Sequence, residues 1–464
     1  MIVQQIRALA PRLVNFLSEF DDCFLTSDTR GHLTQYVQGQ LSNLLRKSVE
    51  PMAQHVGVPP RTLQEFLSFS KWDHDRLRDT VQRIVARDHA EPQAVGIIDE
   101  SGHPKKGKKT ACVHRQYCGA SGKVDNCVMG VHLCYASFDG KFRAMLDSDL
   151  FLPEKGWDAP RREEAGIPDS LVYRGKHLIA LEQLRRAAAN GVHFGWVLAD
   201  IWYGGKPVFI EGLEELGQRF VLEIPKNLMG WIRPPADAET KRGEIQNLVR
   251  WSRPMVAQEW IEFHIKDTGM GAMVWEARAA PFWIKRGDCV AGPYWLIAAR
   301  DRLDQETIKY FLSNAAAGVP LEVLLHVGFS RWPVERCLQD EKSKLGLSQF
   351  EVRKYDGVLR HLRITQVSHL FLARQTNRLA EKKSGGHDLP GARRGQRDAG
   401  RVDAERGRPE AAPGQGGADH PRQATGQRRG KKVTRQNPEK AIGEARSKYR
   451  QIAVLHPGAE RIAF

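Results

Sequence analysis

The sequence predicts a mixed α/β fold, a sheet with helices on its faces, and three observations carry that expectation. Two short apolar runs share one design: Ala94-Val95-Gly96-Ile97-Ile98-Asp99 and Trp196-Val197-Leu198-Ala199-Asp200 each lead to an aspartate with glycine soon after. Short apolar runs bounded by turn residues read as buried strands. Between them, residues 124–133 and 142–152 read as two more strands, and Gly119, Gly122 and Gly140 mark the turns of an antiparallel meander. Lys176 to Asn190 then reads as an amphipathic helix closed by Gly191. With a short helix at 211–217 and a strand at 220–224, the order becomes a mixed sheet flanked by helices.

The bulk numbers narrow the function class. The chain has 464 residues and a net charge of +15, which favours nucleic acid over a neutral small molecule as partner. No run approaches the ~18–20 apolar residues of a membrane span. The start, Met1-Ile2-Val3-Gln4, lacks the apolar core of a signal peptide. Seven cysteines, an odd number over a long chain, fit a reducing compartment. The expectation is a soluble cytoplasmic protein.

Residues 1–90 read as a helical N-terminal, DNA-binding domain. Leu13, Phe16, Leu17 and Phe20 recur at helix spacing, as do Leu41, Leu44 and Leu45. Around Gly57, a helix end, a turn and a restart at Pro60 resemble a helix-turn-helix that aims Arg61, Thr62 and Gln64 at DNA. The same spacing fits an ordinary helical hairpin. Residues 91–221 form the first part of a core. Residues 222–310, rich in proline and tryptophan with alternating stretches, read as a β-rich insertion. Residues 311–380 form the second part, with helices expected at 305–316 and 331–345. Residues 381–464 are a basic, low-complexity tail. Its stretch 381–450 holds 18 Lys and Arg against 9 Asp and Glu, with Tyr449 its one aromatic residue, a composition that cannot offset chain entropy and so predicts disorder. The tail reads either as a flexible DNA-binding arm or as frameshifted text that would impair this copy.

The candidate chemistry starts at Asp99, an acid at a strand end followed by Lys105, Lys106, Lys108 and Lys109. Asp200 repeats the design. A third acid, Glu335, lies on a helix with Ser330 as expected N-cap and Pro333 in the first turn. Arg331, Glu335, Leu338 and Lys342 fall on one stripe of that helix. Carboxylates on a metal with basic side chains on a phosphate backbone would use such a stripe, and a solvated charged face would also produce it. Asp147, Asp149, Asp158, Asp340 and Glu341 compete as alternative acids.

On these residues the chain resembles the bacterial insertion-sequence transposases of the DDE superfamily, which share the ribonuclease-H-like fold of retroviral integrases. The resemblance spans roughly residues 60–375. It rests on Ile97-Ile98-Asp99-Glu100-Ser101-Gly102 with its lysines, Arg115-Gln116-Tyr117-Cys118-Gly119, Val197-Leu198-Ala199-Asp200 with Tyr203-Gly204, and Arg331-Trp332-Pro333-Val334-Glu335 with Lys342. The last matches a Tyr-x2-Arg-x3-Glu-x6-Lys signature except at the tyrosine, where Gly328 stands beside Phe329.

The resemblance implies that Asp99, Asp200 and Glu335 bind divalent metal, Mg²⁺ or Mn²⁺, and that Arg331 and Lys342 contact the DNA strand at the active site. Lys105 and Lys106 become general contacts to the DNA backbone. The implied partners are the transposon's terminal inverted repeats and target DNA, held by a homodimer in a synaptic complex. An activated water would cut at the transposon end, and the freed 3′-OH would attack the target. A non-catalytic DNA-binding remnant and a ribonuclease-H-like nuclease without strand transfer are the competing classes.

Overall fold

The structure is a computed structural model that describes residues 9–268 and 271–384. The expected basic tail lies, past residue 384, outside the described residues. Twelve strands in the described part form one sheet. Its first half holds β1 (Val95–Pro104), β2 (His114–Cys118), β3 (Lys123–Ala136), β4 (Arg143–Leu150), β5 (Trp196–Ala199) and β6 (Phe220–Glu223). Strand β3 pairs antiparallel with β1, β2 and β4, while β1, β5 and β6 run parallel. Four strands in antiparallel pairing, β1 to β4, followed by β5 and β6 parallel to β1, are compatible with a ribonuclease-H-like fold.

The β-rich stretch extends the same sheet. It contains β7 (Met229–Trp231), β8 (Gly243–Glu244), β9 (Ile261–Thr268), β10 (Gly271–Arg286), β11 (Cys289–Asp301) and β12 (Ile308–Ser313). Strand β12 pairs with both β6 and β11 and so joins the two halves. This overturns the helix expected at 305–316. Ile308, Tyr310, Phe311 and Leu312 are β-branched, aromatic or apolar, and two pairing neighbours decide the conformation.

The helices begin with α1 (Leu9–Leu17), α2 (Ser27–Leu41), α3 (Val49–His55), α4 (Pro60–Ser68), α5 (His74–Asp88), α6 (Ala159–Ala165), α7 (Lys176–Ala189) and the short α8 (Ile201–Gly204). They are followed by α9 (Pro207–Glu215), α10 (Ile245–Trp251), α11 (Arg253–Val256), α12 (Leu321–Gly328), α13 (Trp332–Lys344) and α14 (Tyr355–Ser384). Leu13, Phe16, Leu17 and Phe20 are buried as their spacing predicts. Leu44 and Leu45 do not continue α2, because Ser42 caps it through its contact with the Gly39 carbonyl, and Leu45 is fully exposed.

Side-chain alternation splits the core between the two faces. Ile98, Val131, Leu133, Val197 and Leu222 pack with the N-terminal helices, α7 and α9. Val95, Ile97, Cys134, Leu198 and Val221 pack with α12, α13 and the start of α14. The N-terminal helices are tied to α14 by buried polar contacts as well: Tyr36 Oη to His361 Nδ1 at 2.8 Å, and Gln40 to Thr365 and Ser368, each at 2.8 Å. The expected borders near 90, 221 and 310 therefore fall inside one compact unit. Among the described residues, no helix is long and apolar enough to cross a membrane.

Candidate active site

The site forms where β5 stops beside β1. Val95 lies beside Trp196 and Ile97 beside Leu198, and the same offset brings Asp99 level with Asp200. Both acids continue the alternation that points Ile97 and Leu198 toward α12 and α13. Asp99 does not end its strand, as the apolar run implied. Strand β1 continues to Pro104 because β3 goes on pairing with it as far as Cys127. What opens at Asp99 is the other edge, vacated by β5.

Each acid is held by local backbone. The amide of Glu100 donates to Asp99 Oδ1 at 2.8 Å. Asp200 caps α8, and its Oδ1 accepts from the amides of Trp202 (3.0 Å) and Tyr203 (3.3 Å), leaving Oδ2 directed elsewhere. Glu335 sits in the first turn of α13, which lies against the sheet through buried Val334, Cys337 and Leu338. The N-cap of α13 is Arg331, not Ser330. The Ser330 hydroxyl donates instead to the His326 carbonyl at 2.6 Å, closing the end of α12.

Arg331 is the centre of the arrangement. Its Nη1 is 3.6 Å from Asp200 Oδ2 and its Nη2 donates to Glu335 Oε1 at 3.0 Å. Burial pushes the Asp99 carboxyl up to about 6; Arg331 and the Glu100 amide oppose that, while Asp200 and Glu335 add to it. Burial works against the charge on Arg331, but Asp99 and Asp200 outweigh it and hold its pKa above the ordinary value. Lys342 is lowered by burial, against the pull of Asp99. The three acids, Arg331 and Lys342 thus share one electrostatic centre. The phenol of Tyr203 is also buried beside it, its oxygen without a hydrogen-bond partner among the described residues, and burial and the charges of Glu100, Asp200 and Asp99 raise it.

Three carboxylates are the hard oxygen donors that Mg²⁺ or Mn²⁺ prefers. In donor type the residues fit a divalent ion. In placement Arg331 stands between two of them, and among the described residues no three His, Cys, Asp or Glu side chains converge closely enough to hold one ion.

The competing acids are engaged or buried elsewhere. Asp147 and Asp149 are buried and pair with Arg186, Asp147 at 2.9 Å. Asp158 caps α6. Asp340 pairs with Arg336 (3.3 Å) and Lys344 (2.9 Å), and Glu341 is fully buried.

The expected DNA contacts divide. Lys106, Arg61 and Gln64 are exposed, Thr62 is half-buried, and Arg61 pairs with Glu65 at 2.7 Å. Lys105 does not face solvent as a backbone contact would. Its ammonium lies 3.3 Å from the Phe350 ring centroid and donates to the Phe350 carbonyl at 2.7 Å. Gly328, at the signature's tyrosine position, is packed so tightly that an added Cβ would lie 3.2 Å from Phe311. Phe329 packs on Trp275 and Phe311.

A buried polar layer below the acids was not singled out in the sequence. Ser101 Oγ is 3.0 Å from His132 Nε2, His132 Nδ1 is 2.7 Å from Ser148 Oγ, and His103 Nδ1 is 2.9 Å from Ser348 Oγ. The signal was the period-two run Asp99, Ser101, His103 on one face of β1.

Residues 19–268 match the family described as DDE superfamily endonuclease. Over 364 residues the chain is 31% identical to a probable transposase for insertion sequence element IS701 from Microchaete diplosiphon, covering 76% of this chain and 86% of that protein. The chain belongs to the DDE superfamily of insertion-sequence transposases. Endonucleases of this superfamily use divalent metal ions, which agrees with the oxygen donors gathered here. Transposases act on DNA, in keeping with the +15 charge. The matched stretch contains Asp99 and Asp200, and Glu335 enters the site from beyond it.

Proposed function

We propose that the protein cuts DNA at the ends of an insertion sequence and joins the freed ends to target DNA, with Asp99, Asp200 and Glu335 as divalent-metal ligands. The observation that carries the reading is one guanidinium in contact with both Asp200 and Glu335, with Asp99 level with Asp200 on the neighbouring strand. Mg²⁺ or Mn²⁺ bound there supplies activation of the attacking oxygen and stabilisation of the leaving one. The chain's own residues supply the frame. Asp200 is fixed by its α8 amides, Asp99 by the Glu100 amide, and Glu335 by the packing of α13. Arg331 and Lys342 then engage the strand that carries the scissile phosphate. Lys106 contacts the DNA backbone, and Arg61, Thr62 and Gln64 on α4 read the terminal repeat. Holding two ends for joining calls for a homodimer at DNA in the nucleoid.

The test is an assay on end-labelled DNA from the flanks of the gene, with and without Mg²⁺. Cleavage followed by joining to a second DNA supports the proposal. Binding without cutting indicates a DNA-binding remnant, and cutting without joining indicates a simple nuclease; either outcome overturns it.

A further inference from the structure

Arg331 has a second relationship to the acids besides its place on the DNA-facing stripe. Its guanidinium spans Asp200 Oδ2 at 3.6 Å and Glu335 Oε1 at 3.0 Å. Its side chain is 30% exposed, and it precedes α13 instead of lying within it. The residues that anchor α13, Pro333, Val334, Cys337 and Leu338, are buried independently of it. The guanidinium can therefore leave the acids without unpacking the helix.

An ion and the guanidinium cannot both sit between the same carboxylates. A DNA phosphate offers Arg331 an alternative partner of matching geometry, a bidentate oxyanion. We infer that Arg331 is an internal counter-cation that couples divalent-ion loading to DNA binding: it neutralises Asp200 and Glu335 in the free protein and releases them when a phosphate draws it away. The inference rests on the acids being metal ligands. Coupling of this kind is reciprocal, so the ion also strengthens the grip on DNA. Arg331 is here a positioning residue with two alternative partners, and the free protein is kept from loading its ion fully before DNA is present.

Mn²⁺ binding to the full-length protein, read by electron paramagnetic resonance of the free ion, tests this with and without a short DNA duplex. Without DNA, Arg331→Ala binds Mn²⁺ roughly three- to tenfold more tightly than the unmodified protein, the scale of losing partly exposed ion pairs. Adding DNA tightens Mn²⁺ binding by a larger factor in the unmodified protein than in the variant. Arg331→Gln, which keeps the bulk, moves in the same direction, and matching thermal melts establish that both variants fold. Asp200→Asn weakens Mn²⁺ binding in both backgrounds; if it does not, the metal-ligand reading itself is wrong. If it does, and Arg331→Ala and Arg331→Gln bind Mn²⁺ no more tightly than the unmodified protein, the coupling is overturned.

Discussion

Asp99 and Asp200 stand level across the parallel pair of β1 and β5, as the offset between Val95 and Trp196 carried along both strands requires. That relationship makes the two acids a pair, although the sequence separates them widely. Their replacement has a defined consequence. Asp99→Asn or Asp200→Asn should lower the strand-cleavage rate by at least about a thousandfold, the scale of losing a principal transition-state contact. DNA affinity, measured by fluorescence anisotropy without metal, should stay within a few-fold. Cleavage by either variant at the unmodified rate in Mg²⁺ would remove the acid from the site.

Glu341 gives a pH prediction. It is fully buried, neither carboxylate oxygen has a hydrogen-bond partner among the described residues, and burial raises it to about 8 against the opposing pull of Lys342. The folded protein therefore holds the proton more tightly than the unfolded chain, whose glutamates ionise near 4.5. Stability contributed by the protonated form is complete below about 4.5 and is lost as pH rises toward about 8. Glu341→Gln should raise the melting temperature at pH 8, by an amount corresponding to about 1–3 kcal/mol, and change it little at pH 4. Equal effects at both pH values would mean that the side chain is not a buried acid.

Both short apolar runs and the helix bearing Glu335 were legible in the sequence because each is a local pattern: four or five apolar residues, or one stripe at helical spacing. What the sequence hid depends on distant partners. Residues 308–313 become a strand because β6 and β11 flank them. Ser330 gives up the expected cap because the His326 carbonyl is within reach. Asp99 lies mid-strand because β3 extends the pairing past it. The position of Arg331 between two acids was partly legible, since Arg331 and Glu335 are one helical turn apart. Its contact with Asp200 depends on α13 crossing the end of β5.

Gly204 couples Asp200 to the next strand. It closes the single turn that Asp200 caps, and a Cβ built there would lie 2.1 Å from the Glu223 carbonyl oxygen of β6. That neighbour is backbone in a paired strand, so it cannot turn aside. Gly204→Ala should cost about 1–3 kcal/mol or more in stability, the range for forced overpacking. Because α8 must shift, cleavage should fall further than the fraction of folded protein accounts for. Denaturant titration and a cleavage rate normalised to folded protein give the two numbers. A fully stable, fully active alanine variant would show that α8 is free to move.

Lys105 and Lys106 are adjacent but should respond oppositely to the same substitution. Lys105 is turned onto Phe350, where burial lowers its ammonium to about 8. Lys105→Ala should lower stability by about 1 kcal/mol through the lost ring contact and hydrogen bond, with little effect on DNA binding. Lys106 is exposed and is free to meet a phosphate. Lys106→Ala should leave the melting temperature unchanged and weaken binding to all DNA sequences alike. It should also reduce the slope of log affinity against log salt by about one, the signature of a single lost phosphate contact. If Lys105→Ala rather than Lys106→Ala changes the salt slope, the Lys105 ammonium leaves Phe350 when DNA binds, and the inward contact is a resting position only.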